Sequence, residues 1–148
     1  MCSSRRPSPL RACTTCCDGA QRERARVRGV ADEDDITFSV QGSRRGLRLA
    51  DLTPDQLEEA GRLFDILVEP FREDDRVRVR VALAAQGGLA AASLSFFEPW
   101  YRGGDELWDG FRLEGPSLTW HFRGAPHVHV WAHVASSPDV RFNSVRIE

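Results

Sequence analysis

The chain has 148 residues, a formal net charge of −2 and 41% hydrophobic residues, which bounds it to one folded domain of ordinary globular composition. That charge gives no global attraction to nucleic acid or to an anionic membrane, and no segment approaches the roughly 18 apolar residues of a membrane span. Every basic residue is arginine, and tyrosine and methionine occur once each, a bias typical of a GC-rich genome.

Residues 1–35 read as a disordered tail, and residues 36–148 as the single folded domain. All four cysteines, Cys2, Cys13, Cys16 and Cys17, lie in the tail. Cys13-Thr-Thr-Cys16 has no second cysteine pair or histidine pair nearby, and no histidine follows Cys16, so neither a zinc ribbon nor a c-type haem attachment fits. The flanking Pro7, Pro9 and Gly19 argue against a thioredoxin-like strand and helix around it. No apolar run follows the early arginines, so no signal peptide is visible and a cytoplasmic location is the default expectation. The basic run Arg22 to Arg28 and the acidic run Asp32-Glu33-Asp34-Asp35 read as solvated tail that pairs with itself.

Leu52-Thr53-Pro54-Asp55-Gln56-Leu57 is a helix start. Thr53 serves as N-cap, Pro54 stands at the first helical position, Gln56 completes a capping box and Leu52 can pack on Leu57. The helix is expected to run to about Glu69, before Pro70, with Leu57, Ala60, Phe64 and Leu67 as its buried stripe. Asp74 to Gln86 alternates like a strand at Val77, Val79, Val81 and Leu83. Its acidic start, its Gly87-Gly88 stop and its Ala82-Leu-Ala-Ala85 ending favour a helix of three turns. Leu89 to Phe97 reads as a strand, and Glu98 to Gly104 as a loop.

The C-terminal part reads as an antiparallel meander. Strand side chains alternate between faces. In Gly110 to Glu114, Ser117 to Arg123 and His127 to Val134, one parity collects Phe111, Leu113, Leu118, Trp120, Phe122, Val128, Val130, Ala132 and Val134. The other carries Arg112, Glu114, Arg123 and all four histidines. A two-residue turn at Gly115-Pro116 would pair Glu114 with Ser117, Arg112 with Thr119 and Gly110 with His121. A three-residue loop at Gly124-Ala125-Pro126 would pair Arg123 with His127 and His121 with His129. Opposed residues lie about 4.5–5.5 Å apart at Cβ, so His121, His127 and His129 would converge on one ion. Three imidazoles suit zinc or copper and leave a position open for water or substrate, an arrangement that resembles, in geometry only, the zinc site of the alpha-type carbonic anhydrases. Glu114 and Arg123 would be the assisting catalytic groups. His133, about 13 Å along the strand from His129, falls outside this set. Against it stands the simpler reading that histidine is an ordinary occupant of the polar face of a half-exposed sheet.

Two segments carry a resemblance. Arg45-Gly-Leu-Arg-Leu-Ala-Asp-Leu-Thr-Pro-Asp-Gln56 resembles the opening segment of the bacterial family called domain of unknown function 3500 (DUF3500). Trp108-Asp-Gly-Phe-Arg-Leu-Glu-Gly-Pro-Ser-Leu-Thr-Trp-His-Phe-Arg-Gly-Ala-Pro-His-Val-His129 is similar to that family's later Gly-Pro and His-x-His segments. The likeness spans roughly Gly42 to Val134. It implies a bacterial protein and carries over His127 and His129, with Glu114, Gly115 and Pro116, as motif positions. The Arg-Asp pair expected soon after the paired histidines is absent, and Trp131-Ala-His133 stands there instead.

The sequence therefore predicts an α+β domain, with two helices on the apolar face of an antiparallel sheet of three to five strands. Its first functional expectation is a zinc or copper site of His121, His127 and His129 that activates water. The alternative is a non-enzymatic binding or interaction module for a small molecule or protein, with Trp100, Tyr101, Trp108 and Trp131 as an aromatic surface. No G-x-S-x-G, G-x-G-x-x-G or phosphate loop occurs, which argues against serine-hydrolase and nucleotide chemistry.

Overall fold

The computed structural model describes residues 17–29, 33, 38, 44–98, 110–124 and 126–140. Within them run α1 (Gly19–Ala25), β1 (Arg26–Val27), β2 (Leu47–Arg48), α2 (Pro54–Val68), α3 (Glu73–Ala85), β3 (Ser93–Phe97), β4 (Gly110–Gly115), β5 (Leu118–Arg123) and β6 (His129–Val134). Short 3-10 turns precede α2 and β3. The architecture is the expected α+β, with one strand more than the upper bound and a third helix.

That third helix, α1, corrects the reading of residues 1–35 as tail throughout. Asp18 caps it and Gln21 closes a capping box, a signal that stands just before the arginine run. Ala25 and Cys17 pack into the main core. The α2 capping box forms as expected from Thr53 and Gln56. The two capping glutamines also bond each other, Gln56 Nε2 donating to Gln21 Oε1 at 2.9 Å and Gln21 Nε2 to Gln56 Oε1 at 3.1 Å. The amide pair thereby fastens the start of α1 to the start of α2.

Helix α2 buries Ala60, Leu63, Phe64 and Val68, with Leu57 and Leu67 partly buried beside them. Helix α3 forms where the valines alternate. It has no side-chain N-cap, but Glu73, Asp74 and Asp75 occupy its first turn, where negative charge offsets the helix dipole. It stops at Gly87 and Gly88, both at positive φ (98° and 68°), a conformation that costs glycine little.

The sheet runs β1-β3-β4-β5-β6, with β2 also on β3. β1 pairs parallel to β3 at Phe96 and Phe97, while every other pairing is antiparallel. Leu94, Phe96, Phe111, Leu113, Leu118 and Trp120 join the helices in one core. The strand expected over Leu89 to Phe97 begins only at Ser93, because Leu89–Ala91 coil into a 3-10 turn.

Both hairpin registers differ from expectation by two residues. Glu114 pairs with Thr119 and Arg112 with His121, so the turn is Pro116-Ser117, with proline at the position where its fixed φ suits a type I or II turn. Arg123 pairs with His129 and His121 with Trp131, so the second loop spans five residues, Gly124 to Val128. A two-residue slip preserves parity, and the apolar pattern therefore cannot detect it. The far end of the ladder is tied down by Ser117, whose Oγ donates to the Ala135 carbonyl at 2.6 Å while the Ala135 N–H donates to the Ser117 carbonyl at 3.0 Å.

Candidate functional site

The polar face of the sheet is buried: Ser95, Thr119 and His121 are 1%, 0% and 0% exposed. Each buried polar atom on it therefore needs a partner. His121, at the centre of β5, lies against Phe97 and Trp131, with ring centroids 6.1 Å and 5.3 Å away. Its Nδ1 accepts a hydrogen bond from Arg112 Nε at 3.1 Å. Nε2 then carries the proton and faces Glu33 Oε1 at 3.1 Å. Burial is the largest influence on this imidazole and, with the nearby Arg112 and Arg123 cations, outweighs the Glu33 hydrogen bond, lowering its pKa to about 4. His121 is neutral at pH 7.

Glu33 is the hub. Arg123 grips it with two nitrogens, Nε to Oε1 at 2.7 Å and Nη2 to Oε2 at 3.0 Å, the bidentate geometry in which arginine binds carboxylates best. Burial alone would raise the Glu33 pKa, but hydrogen bonds from Arg123 and His121 and their charge win, bringing it to about 2. His129 stands at the rim with its Nδ1 3.1 Å from Glu33 Oε2 and 2.7 Å from Arg123 Nη2. His127 is exposed, its ring centroid 4.5 Å from that of His129. Trp131 packs edge-on against His129 at 5.2 Å.

Of the residues singled out from sequence, Arg123 and His129 meet directly, and His127 joins them from the loop. His121 is near but lies below them, with both ring nitrogens occupied by Arg112 and Glu33. The expected opposition of His121 and His129 is replaced by His121 against Trp131. Glu114 lies farther in, 3.8 Å from Arg112 Nη1 in an ion pair whose side chains are 10% and 12% exposed. It joins this cluster through Arg112. His133 pairs with Thr119, and burial lowers its pKa. Trp100, Tyr101 and Trp108 fall outside the described residues. Among those described, no group of three or more His, Cys, Asp or Glu side chains is arranged to hold a metal ion, and none of the helices is long and apolar enough to cross a membrane.

Sequence reasoning missed Glu33 and Arg112. Arg112 was on the polar parity, and two arginines on one face of a sheet call for carboxylates once that face is covered. Glu33 was hidden in an acidic run that looked like a solvated tail.

Neither a protein-family model, nor a curated protein, nor a solved structure matches this chain. The resemblance to DUF3500 accordingly rests on its two sequence segments alone.

Proposed function

We propose that this chain is a non-enzymatic binding module that takes up a carboxylate-bearing ligand at the rim of its polar face, through Arg123, His129 and His127 beside Trp131. One observation carries the reading. Arg123 and His129 already close around a carboxylate, that of Glu33, so the receptor geometry exists on a rigid strand pair and a ligand carboxylate can take the place of the internal one. Full burial of His121 argues against its acting on a substrate. His127 and His129, the motif positions that the resemblance to DUF3500 carries over, fall at this rim.

The test is titration with benzoate of the wild-type chain, Glu33→Gln and Glu33→Gln/Arg123→Met, followed by the imidazole NMR signals of His127 and His129. Freeing Arg123 of its internal partner should tighten binding at least tenfold in Glu33→Gln, and removing the fork should abolish that gain. Equal binding by all three chains would sink the proposal.

A second reading has its own observation. The closeness of the His127 and His129 rings, with Glu33 Oε2 beside His129, would let zinc or copper bind two imidazoles and a carboxylate if Arg123 swung aside. Such an ion would polarise water for hydrolytic chemistry. Stoichiometric metal that disappears in His127→Ala/His129→Ala would favour it over the carboxylate receptor.

A further inference from the structure

A second cationic site lies at the opposite end of the sheet, where β2 meets the start of β3. A cleft of about 540 Å³ opens there, lined by Arg44, Arg48, Ser93, Ala50 and the alanines at 90–92. That volume falls within the range of small-molecule sites. The Nη1 of Arg44 is buried and, among the described residues, has no hydrogen-bond partner. A buried guanidinium nitrogen without an acceptor is costly, because the water it gave up has not been replaced.

The backbone just after Arg44 is held against β3. Gly46 has φ 86°, and a Cβ there would stand 2.2 Å from the Leu94 carbonyl oxygen. Only glycine lets the chain turn this close to β3. Ser95 Oγ then donates to the Arg45 carbonyl at 2.9 Å, holding the segment just before Gly46 against the strand. Arg48 pairs in register with Ser93, and its Nη2 is braced by Asp51 at 2.9 Å. Asp51 also takes Arg24 at 3.0 Å, so the carboxylate that braces Arg48 is shared with a second arginine. No acidic residue is among the described lining. The walls are short alanine side chains, which leave space and offer apolar contact.

We infer that this cleft binds a small organic oxyanion, with Arg44 as the fork on its anionic group, Arg48 as a braced second cation and the alanine walls against a compact apolar body. Arginine recognises phosphate and carboxylate by the same planar fork, and the two are separated by using matched probes. The inference does not depend on the rim site at Arg123, which lies at the other end of β5.

The experiment uses the full chain and isothermal titration with phenyl phosphate, benzoate and inorganic phosphate, alongside melting curves. Phenyl phosphate or benzoate should bind and raise the melting temperature, as any ligand of the folded state does. Whichever probe loses more affinity in Arg44→Met identifies the head group of this cleft, since benzoate also reports on the Arg123 rim. Binding should fall at least tenfold in Arg44→Met and less in Arg44→Lys, which keeps the charge and loses the fork, while Arg78→Met, whose side chain is 81% exposed on α3, should leave it unchanged. Without ligand, Arg44→Met should melt no lower than wild type, since it removes a guanidinium with an unsatisfied buried nitrogen. A purely structural Arg44 would instead make that variant less stable. No saturable binding by any probe at millimolar concentration, or equal binding by wild type and Arg44→Met, would overturn the inference.

Discussion

At their centres the two faces of the sheet are equally buried, by different physics. On one face Phe111 and Leu118 are each 1% exposed; on the other Thr119 and His121 are 0%. The apolar face is held by packing, which is non-directional and accepts any neighbour of suitable shape. Across the polar face runs a chain of directed contacts from Glu114 through Arg112, His121 and Glu33 to Arg123 and His129. With His121 neutral, its two carboxylates balance its two guanidinium groups. Alternation along a strand thus sorts residues by face, but it does not say which face is wet. The polar face can be buried here because a carboxylate arrives from a distant segment of the chain.

The largest effect expected from breaking this arrangement lies on the apolar side. Trp120 is 8% exposed and packs on Phe71 at a ring-centroid distance of 5.9 Å. Trp120→Ala should cost about 3–5 kcal/mol through lost burial and a residual cavity. The loss, measured by urea unfolding, should be the same at pH 5 and pH 8, because no titrating group is involved. A loss that changes between those pH values would show the two faces to be coupled.

On the polar side, Arg112→Met removes the donor to His121 Nδ1 and the cation beside Glu114 while keeping most of the aliphatic volume. Roughly 2–3 kcal/mol should be lost, the cost of leaving a buried acceptor and a buried carboxylate short of a partner. If the variant were as stable as wild type by urea unfolding, the directed contacts would contribute specificity and no stability.

The pH dependence sharpens the contrast further. His121 has its pKa lowered from 6.5 to about 4, and Glu33 from 4.5 to about 2. For both groups the unfolded chain binds more protons within the window between the two values, so stability rises with pH there. The His121 contribution is complete above pH 6.5 and is lost as pH falls toward 4; that of Glu33 is complete above pH 4.5 and is lost toward 2. Each slope approaches about 1.4 kcal/mol per pH unit. His121→Gln should flatten the stability curve between pH 6.5 and 4, and Glu33→Gln should flatten it below 4.5. Wild-type stability that is level from pH 7 to 4 would remove this account of the histidine.

Much of this frame was legible in sequence, and the gaps have physical causes. The α2 start was visible because Thr53, Pro54 and Gln56 act within one helical turn. Face assignment in β4, β5 and β6 was visible because parity is local. The registers were not, since a slip of two residues keeps every side chain on its face, and the constraint that fixes them, Ser117 to Ala135, joins two different strands. Glu33 was beyond reach for the same reason, being 90 residues from Arg123 in sequence. Within the candidate site, residue types on the polar face could be named in advance, whereas the partner that organises them could not.

Helix α3 offers the smallest and cleanest test of how pattern and packing divide the work. Its valines alternate with period two, yet the segment is helical, and residues four apart share a helical stripe. Val79 and Leu83 therefore turn inward to the core, whereas Val77 and Val81 are 55% and 64% exposed. Val81→Lys should change stability by less than about 0.5 kcal/mol, because it replaces an exposed β-branched residue with a better helix former. Val79→Lys should cost clearly more, since it places a charge against the apolar core. Were α3 instead a strand, positions 79 and 81 would share one face and the two substitutions would cost alike, so the asymmetry measured by thermal unfolding tests the helix itself.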